Sequence, residues 1–420
     1  MQAVLDTILK RLIQIGRLTV YWPDGSSRVY EGSPGPSASL RLRTSRVVRR
    51  LIYNPSMAIG EGFMDGDAVP GEGGIYDLLA LAMLNLKANP SGHPAIRTRE
   101  RLEGLFRRIL QFNPASRSRR NVAHHYDLNG RLYSLFLDRD RQYSCAYFRN
   151  GNETLEDAQA AKKRHIAAKL LLTRPGLRVL DVGCGWGGTA LTLARDYGAD
   201  VTGITLSQEQ LQEARGRAAA EGLEDRVRFE MLDYRAVKGQ FDRIVSVGMF
   251  EHVGVGFYQT FWDMVARVLA PDGVALIHAI GRHDGPGSTN PWLRKYIFPG
   301  GYSPALSEVL PIVERSGLMS TDIEILRLHY AETLRQWRRR FMANRDAIAS
   351  IYDDRFCRMF EFYLAACEVT FRWAGHMVWQ LQVVHNHEAV PLTRDYIGPA
   401  EAARETDPVK AGQTGMRVAD

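Results

Sequence analysis

Residues 179–188 read Val-Leu-Asp-Val-Gly-Cys-Gly-Trp-Gly-Gly, so apolar residues lead to Asp181 and then to Gly183, Gly185 and Gly187. An apolar, alanine-containing run follows over 189–197. That order specifies a strand, a tight turn and a helix. Glycine is needed where a backbone turns sharply and admits a ligand with no Cβ in the way, and the helix offers unpaired N–H groups at its start. A nucleotide-like ligand is the expected guest. Two other residues stand where their types are costly. Glu251 follows the apolar run 241–247, and a buried carboxylate there needs a task or a partner. Capping of a helix near His252 is the other use for it. His278 interrupts the buried-strand pattern of 274–280.

Gly183, Gly185 and Gly188 also satisfy G-x-G-x-x-G. A dinucleotide site wants an acid about twenty residues on, at the end of the next strand, to hold a ribose. Here that strand ends in Thr205 and Ser207, while Asp181 precedes the glycines and Asp233-Tyr234 closes a third strand. These features resemble the class I S-adenosylmethionine (SAM) methyltransferases, in which Gly-x-Gly-x-Gly lies under the amino-acid end of SAM. The second-strand acid of that pattern is absent, which leaves the ribose contacts to Thr205, Leu206 and Gln210.

The elements that must carry these residues follow from periodicity. A helical period over 4–15, short strands broken at 23–25 and 32–36, five arginines (Arg41, Arg43, Arg46, Arg49, Arg50), a glycine-rich loop over 60–74 and a helix over 75–86 form a small α+β domain, 1–90. Residues 91–120 read as an Arg-rich linker containing one helix. From 121 to 395, strands near 178–182, 200–206, 227–233, 241–248 and 273–280 alternate with helices near 208–221 and 256–269. That alternation predicts an α/β, doubly wound, mostly parallel sheet. Ligands bind at the carboxyl ends of such strands. A Gly/Pro-rich insertion after Gly281, long helices near 332–350 and 355–374 and a last strand over 378–384 complete the domain, and 396–420 reads as a disordered tail.

Composition narrows the partners. A net charge of +7 with pI ≈ 9.2 fits an anionic partner, a phospholipid surface or a nucleic acid, and equally a general solubility charge. No run reaches the roughly 18 apolar residues of a membrane span. Asp6 and Lys10 within the N-terminal apolar stretch argue against a signal peptide. The 4 cysteines have neither C-x-x-C nor metal spacing, so no metal is expected, and the protein is expected to be cytoplasmic with reduced thiols.

Several segments together carry a more specific resemblance: Gln142-Tyr-Ser-Cys-Ala-Tyr-Phe148, the 181–188 turn, Gly203-Ile-Thr-Leu-Ser-Gln-Glu-Gln210, Ser246-Val-Gly-Met-Phe-Glu-His-Val-Gly254, Leu276-Ile-His-Ala-Ile-Gly281 and Tyr296-Ile-Phe-Pro-Gly-Gly301. Over about 121–390 the chain resembles the cyclopropane fatty acid synthases, class I SAM-dependent methyltransferases, and its N-terminal part is similar to their small lipid-engaging domain. The resemblance implies that SAM's methyl goes to a cis double bond of an acyl chain in membrane phospholipid. A bicarbonate ion then removes a proton as the ring closes. It implies a bicarbonate cage of Cys145, Glu251, His278, the Ile280 backbone and Tyr330. Cys367 matches a cysteine once regarded as the nucleophile. SAM contacts carry over to Tyr143, Ser144, the 183–187 glycines, Thr205, Leu206, Gln210, Asp233 and Tyr234. Tyr147, Phe148, Phe250 and Tyr296 are candidate π faces for a carbocation. The expected setting is the cytoplasmic, inner face of an anionic membrane, peripherally bound, with a homodimer as an allowed assembly. The alternative product is a methyl- or methylene-branched chain. A nucleic-acid methyltransferase is the reading from another class; nucleic acid is not expected as a partner, because Gly248-Met-Phe-Glu-His252 stands where an Asn-Pro-Pro-Tyr base-flipping motif would.

Overall fold

The computed structural model describes residues 1–89 and 130–405. The Arg-rich linker helix expected within 91–120 lies outside the described residues, as does the chain beyond 405.

The N-terminal part begins with the helix Gln2–Leu12, which buries Leu5 and Leu12. Strands β1 (Ile15–Tyr21), β2 (Ser27–Glu31), β3 (Ser33–Leu42) and β4 (Ala68–Pro70) form a sheet of order β2-β1-β3-β4. The expected break at 32–36 is narrower than the sequence suggests. Only Gly32 lies outside a strand, and the prolines enter β3, where the pairing with β1 shifts register between Ile15 and Arg17. Proline is tolerated at such irregularities because no ladder hydrogen bond is lost there. The expected loop over 60–74 is also corrected: Gly60 and Gly62 sit inside the helix Pro55–Asp65. A Cβ on Gly60 would come within 2.5 Å of the Trp292 indole nitrogen, so this glycine serves close packing and not a turn.

The larger sheet has the order β10-β11-β9-β8-β5-β6-β7. Strands β5 (Arg178–Val182), β6 (Asp200–Thr205), β7 (Val227–Met231), β8 (Phe241–Val247) and β9 (Leu269–Arg282) run parallel. β10 (Met319–Leu326) and β11 (His376–Val384) add antiparallel pairings. The doubly wound parallel core agrees with the alternation read from the sequence. β10 does not announce itself, because it is an edge strand on which Ile323 and Ile325 are exposed. Its Asp322 and Glu324 face the buried Lys169 ammonium.

The predicted helix over 332–350 is two, His329–Ala343 and Arg345–Ile351. Asn344 ends the first, its side-chain amide donating to the carbonyls of Leu135 and Arg340. The helix Asp354–Trp373 then packs on Pro55–Asp65 and Gly74–Ala88, with Phe63 and Phe362 rings 6.4 Å apart. The apolar core runs continuously from Leu5 through Trp337 to Phe371. The N-terminal sheet is separate, but its core is not. The expected tail from 396 is corrected in its first part: Ile397–Glu405 is a helix. Its Glu401 side chain reaches the buried His165 ring and Arg149, and these paired charges anchor a segment whose apolar content alone gives no reason to fold.

Candidate active site

The turn after β5 has the geometry its glycines require, with φ of 85° at Gly183, 55° at Gly185 and 83° at Gly187. Non-glycine residues rarely adopt this left-handed region. The helix Gly188–Tyr197 starts directly from it. A cavity opens over the turn, lined by Asp181 in β5, Gly183 and Gly185 in the turn, Thr205 at the end of β6, Leu206 and Gln210 beyond it, and Tyr234, Tyr143 and Ser144. A Cβ at Gly185 would meet nothing within 4 Å, so the space above it is open. Asp181 Oδ2 is buried without a hydrogen-bond partner, and burial pushes the carboxyl up to about 7. The Thr205 hydroxyl donates to Gln210 Oε1 at 3.0 Å.

Two residues expected here do not line the cavity. A Cβ on Gly187 would stand 2.7 Å from the Phe229 ring, so Gly187 permits strand–helix packing under the turn. Asp233 accepts the Arg235 N–H at 3.0 Å and pairs with the Arg235 guanidinium at 2.8 Å, which orients the turn that brings Tyr234 to the wall. Asp140, Gln142 and Trp186 line the cavity and were not singled out. Gln142 and Trp186 lie inside the quoted segments, and Asp140 only adjoins one.

A second cavity, of about 380 Å³, falls within the size range of small-molecule sites. Cys145, Glu251, His278, Ile280, Tyr330 and Cys367 all line it, and Tyr143, Ser144, Gly248 and His252 belong to both cavities. Residues from five separate segments thus meet beside the first cavity. Glu251 sits in a short 3₁₀ turn after β8, and its Oε1 accepts the Ile280 N–H of β9 at 2.7 Å. This bond to a neighbouring strand replaces the helix cap that was the other use for Glu251. Its Oε2 is buried without a partner, and burial, opposed by the Ile280 bond, raises the carboxyl to about 7.

His278 Nδ1 lies 3.1 Å from Gln380 Nε2. With the amide in this orientation the nitrogen can only donate, so Nδ1 accepts and the ring proton is assigned to Nε2. Nε2 is buried with no hydrogen-bond partner. Burial holds the ring well below the usual histidine range, so it is neutral. Tyr330 opens the helix His329–Ala343 and packs edge-on to Trp337 at 5.8 Å. The Cys145 thiol donates to the Ala146 carbonyl at 3.3 Å, and burial raises its pKa. Burial also pushes Cys367 up to about 12, so the thiol stays protonated and does not suit a nucleophile.

The aromatic faces are not the expected ones. The Tyr147 ring stacks on His165 at 4.2 Å, Phe250 packs among Tyr258, Trp262 and Trp379, and the Tyr296 hydroxyl donates to Glu61. Phe148 is buried, and its N–H donates to His329. None of the four lines the second cavity; Tyr143, Phe298, Tyr302, Tyr330 and Phe371 do.

A glycine turn opening onto free space, a buried acid beside it and a mostly parallel sheet of this order fit a SAM-dependent methyltransferase of class I. Residues 114–381 match the family described as mycolic acid cyclopropane synthetase, and the chain belongs to that family. It is 38% identical over 352 residues to cyclopropane-fatty-acyl-phospholipid synthase of Escherichia coli (strain K12), covering 82% of this chain and 87% of that one. It is 34% identical over 385 residues to a probable fatty acid methyltransferase of Pseudomonas putida, covering 87% and 93%. Mycolic acid cyclopropane synthase CmaA1, solved with SAH and CTAB, superposes with a TM-score of 0.60 at 32% identity, over 65% of this chain and 99% of that one. Among the described residues no helix is long and apolar enough to cross a membrane.

Proposed function

We propose that the protein converts the cis double bond of an unsaturated acyl chain in membrane phospholipid into a cyclopropane ring. The observation that carries this reading is the pair of unpartnered buried atoms, Glu251 Oε2 and His278 Nε2, on one cavity that joins the glycine-turn cavity through Tyr143, Ser144, Gly248 and His252. Bound in the first cavity against the 183–185 turn, Asp181, Thr205, Leu206 and Gln210, SAM supplies an electrophilic methyl group. The alkene is a weak nucleophile, so the protein's work is to hold it against that methyl and exclude water. Tyr143, Phe298, Tyr330 and Phe371 supply apolar and π surface for a chain that passes through a cation.

Ring closure needs a base for one proton of the added methyl, and bicarbonate in the second cavity fits the donors there. His278 offers an Nε2–H, the carboxyl of Glu251, raised by burial to about 7, donates through Oε2 in its neutral form, and Tyr330 and Cys145 stand on the same wall. No charged protein group has to act as the base. The similarity to a fatty acid methyltransferase favours one second reading, in which the cation loses another proton and a methyl- or methylene-branched chain results.

The protein is placed by this reading on the inner face of the membrane, bound peripherally. Arg41, Arg43, Arg46 and Arg49 are exposed while Val47, Val48, Leu51 and Ile52 of the same segment are buried, and Tyr53 is 68% exposed. Proton NMR of lipids incubated with the enzyme, SAM and bicarbonate tests the product. Upfield cyclopropane protons are expected; an olefinic signal alone overturns ring closure in favour of the branched product. Full rate after bicarbonate removal overturns the assignment of the base.

A further inference from the structure

The helix Leu155–Lys169 carries an unusual number of buried polar side chains. Three of its cations have carboxylate partners: Lys163 pairs with Asp140, His165 with Glu324 and Glu401, and Lys169 with Asp322 and Glu324. Lys162 does not. It is fully buried, and its ammonium donates to two neutral groups, Gln142 Oε1 and Ser144 Oγ, each at 2.7 Å. Among the described residues no carboxylate lies within ion-pair distance of it. Asp138 and Asp140 act on it only from longer range; a buried cation with no carboxylate in contact is costly, and the mechanism above does not use it.

Its position suggests where the countercharge belongs. Ser144 lines both cavities, and the Lys162 charge is felt by Asp181 in the first and by Cys145 and His278 in the second. An ammonium has donors only, so Ser144 Oγ must accept from it. The hydroxyl hydrogen of Ser144 is then free to be directed elsewhere. One turn earlier on the helix, Gln159 Nε2 donates to the backbone carbonyls of Ser144 at 2.9 Å and Gln142 at 3.3 Å, so backbone and side chain of this turn are held from one side. The remaining open side of Ser144 is the cavities.

We propose that Lys162 is a positioning residue for the anionic base: its ammonium fixes Ser144 as an acceptor, turns the Ser144 hydroxyl hydrogen toward the second cavity, and supplies the positive potential that lets bicarbonate enter a buried site. The inference rests on the bicarbonate reading given above. It explains why the direct partners of Lys162 are neutral where its neighbours have acids in contact, since a carboxylate paired with the ammonium would offset more of the potential than Asp138 and Asp140 do from longer range.

The test uses the full chain saturated with S-adenosylhomocysteine and follows thermal unfolding against bicarbonate concentration, a binding readout independent of turnover. Lys162→Met removes the charge at similar volume, a change that buried sites often accept. Ser144→Ala keeps the lysine and removes the hydroxyl, and it decides the matter if the first variant does not fold. A charge-assisted hydrogen bond lost from a buried anion predicts that the bicarbonate concentration giving half of the shift rises by at least about tenfold in each variant. Affinity for S-adenosylhomocysteine, measured by calorimetry, should change by a smaller factor. The double variant should cost less than the product of the two, because both act through one hydroxyl. A bicarbonate midpoint unchanged in the variants, with stability or nucleoside affinity lowered instead, overturns the proposal and makes Lys162 a structural clamp. A wild-type protein that shows no bicarbonate-dependent shift overturns the earlier reading and this inference together.

Discussion

Replacing Glu251 by glutamine should stabilise the ligand-free protein at pH 8 relative to wild type while keeping a donor for the anion. The carboxyl is raised from 4.5 to about 7, chiefly by burial. A group whose folded pKa lies above its unfolded one favours the folded state fully below the unfolded value. That contribution disappears as pH rises to the folded value, because the unfolded chain gains solvation of an ionised carboxylate that the folded chain resists. Across this gap the loss is about 3 kcal/mol, at roughly 1.4 kcal/mol for each tenfold change in proton affinity. Glutamine does not titrate, and its side-chain carbonyl still accepts the Ile280 N–H. The stability difference between variant and wild type should therefore grow by about 2 kcal/mol between pH 5 and pH 8, most of it before pH 7. Urea unfolding at a series of pH values, without SAM and in bicarbonate-free buffer, measures it. At the Oε2 position the glutamine amide still donates, so this variant should keep its bicarbonate activation, whereas Glu251→Ala should lose most of it. A difference independent of pH would refute the argument that burial, and not a hidden partner, sets this carboxyl.

Four further outcomes are expected. Gly185→Asn, chosen because asparagine tolerates φ near 55°, projects a side chain into the open space over the turn; calorimetry should show SAM affinity falling by more than tenfold with the fold retained. Gly60→Ala drives a methyl into the Trp292 ring and should cost about 1–3 kcal/mol of stability by denaturant unfolding. Cys367→Ala should keep most of the turnover, since the protonated thiol does no chemistry; loss beyond a hundredfold in kcat would restore it as a reacting group. Binding to anionic vesicles should weaken as salt rises, because each exposed arginine near the surface contributes on the order of 1 kcal/mol within a Debye length of about 8 Å.

Most of the first cavity was legible in the sequence because its demands are local. A strand that ends in a ligand-binding turn needs glycine at the left-handed positions, and Gly183 and Gly185 stand there whatever the rest of the chain does. Gly187 and Asp233 show the limit of that reasoning. Both are in the right motif, yet one glycine is spent on the Phe229 ring and the acid on Arg235. Strands β5, β6, β8 and β9 were visible because buried parallel strands carry apolar runs, and β7, at the sheet edge with Val227 and Phe229 buried, showed as an alternation. β10, exposed on one side and carrying two acids, has no such signature.

The residue types of the second cavity could be carried from motif resemblance, but only the fold brings segments near 145, 251, 278, 330 and 367 to one wall. The pKa of Glu251 near 7, the neutral state of His278 and the inertness of Cys367 all follow from burial, a quantity summed over non-local neighbours. The helix Ile397–Glu405 is polar in sequence and is held by Glu401 on His165, some 236 residues away. Lys162 looks like an ordinary lysine in an alanine-rich helix, and becomes a buried cation only because the 142–144 turn closes over it. Sequence determined what is set by backbone conformation and by period along the chain. Tertiary structure decided every property that depends on which distant groups exclude water from a side chain.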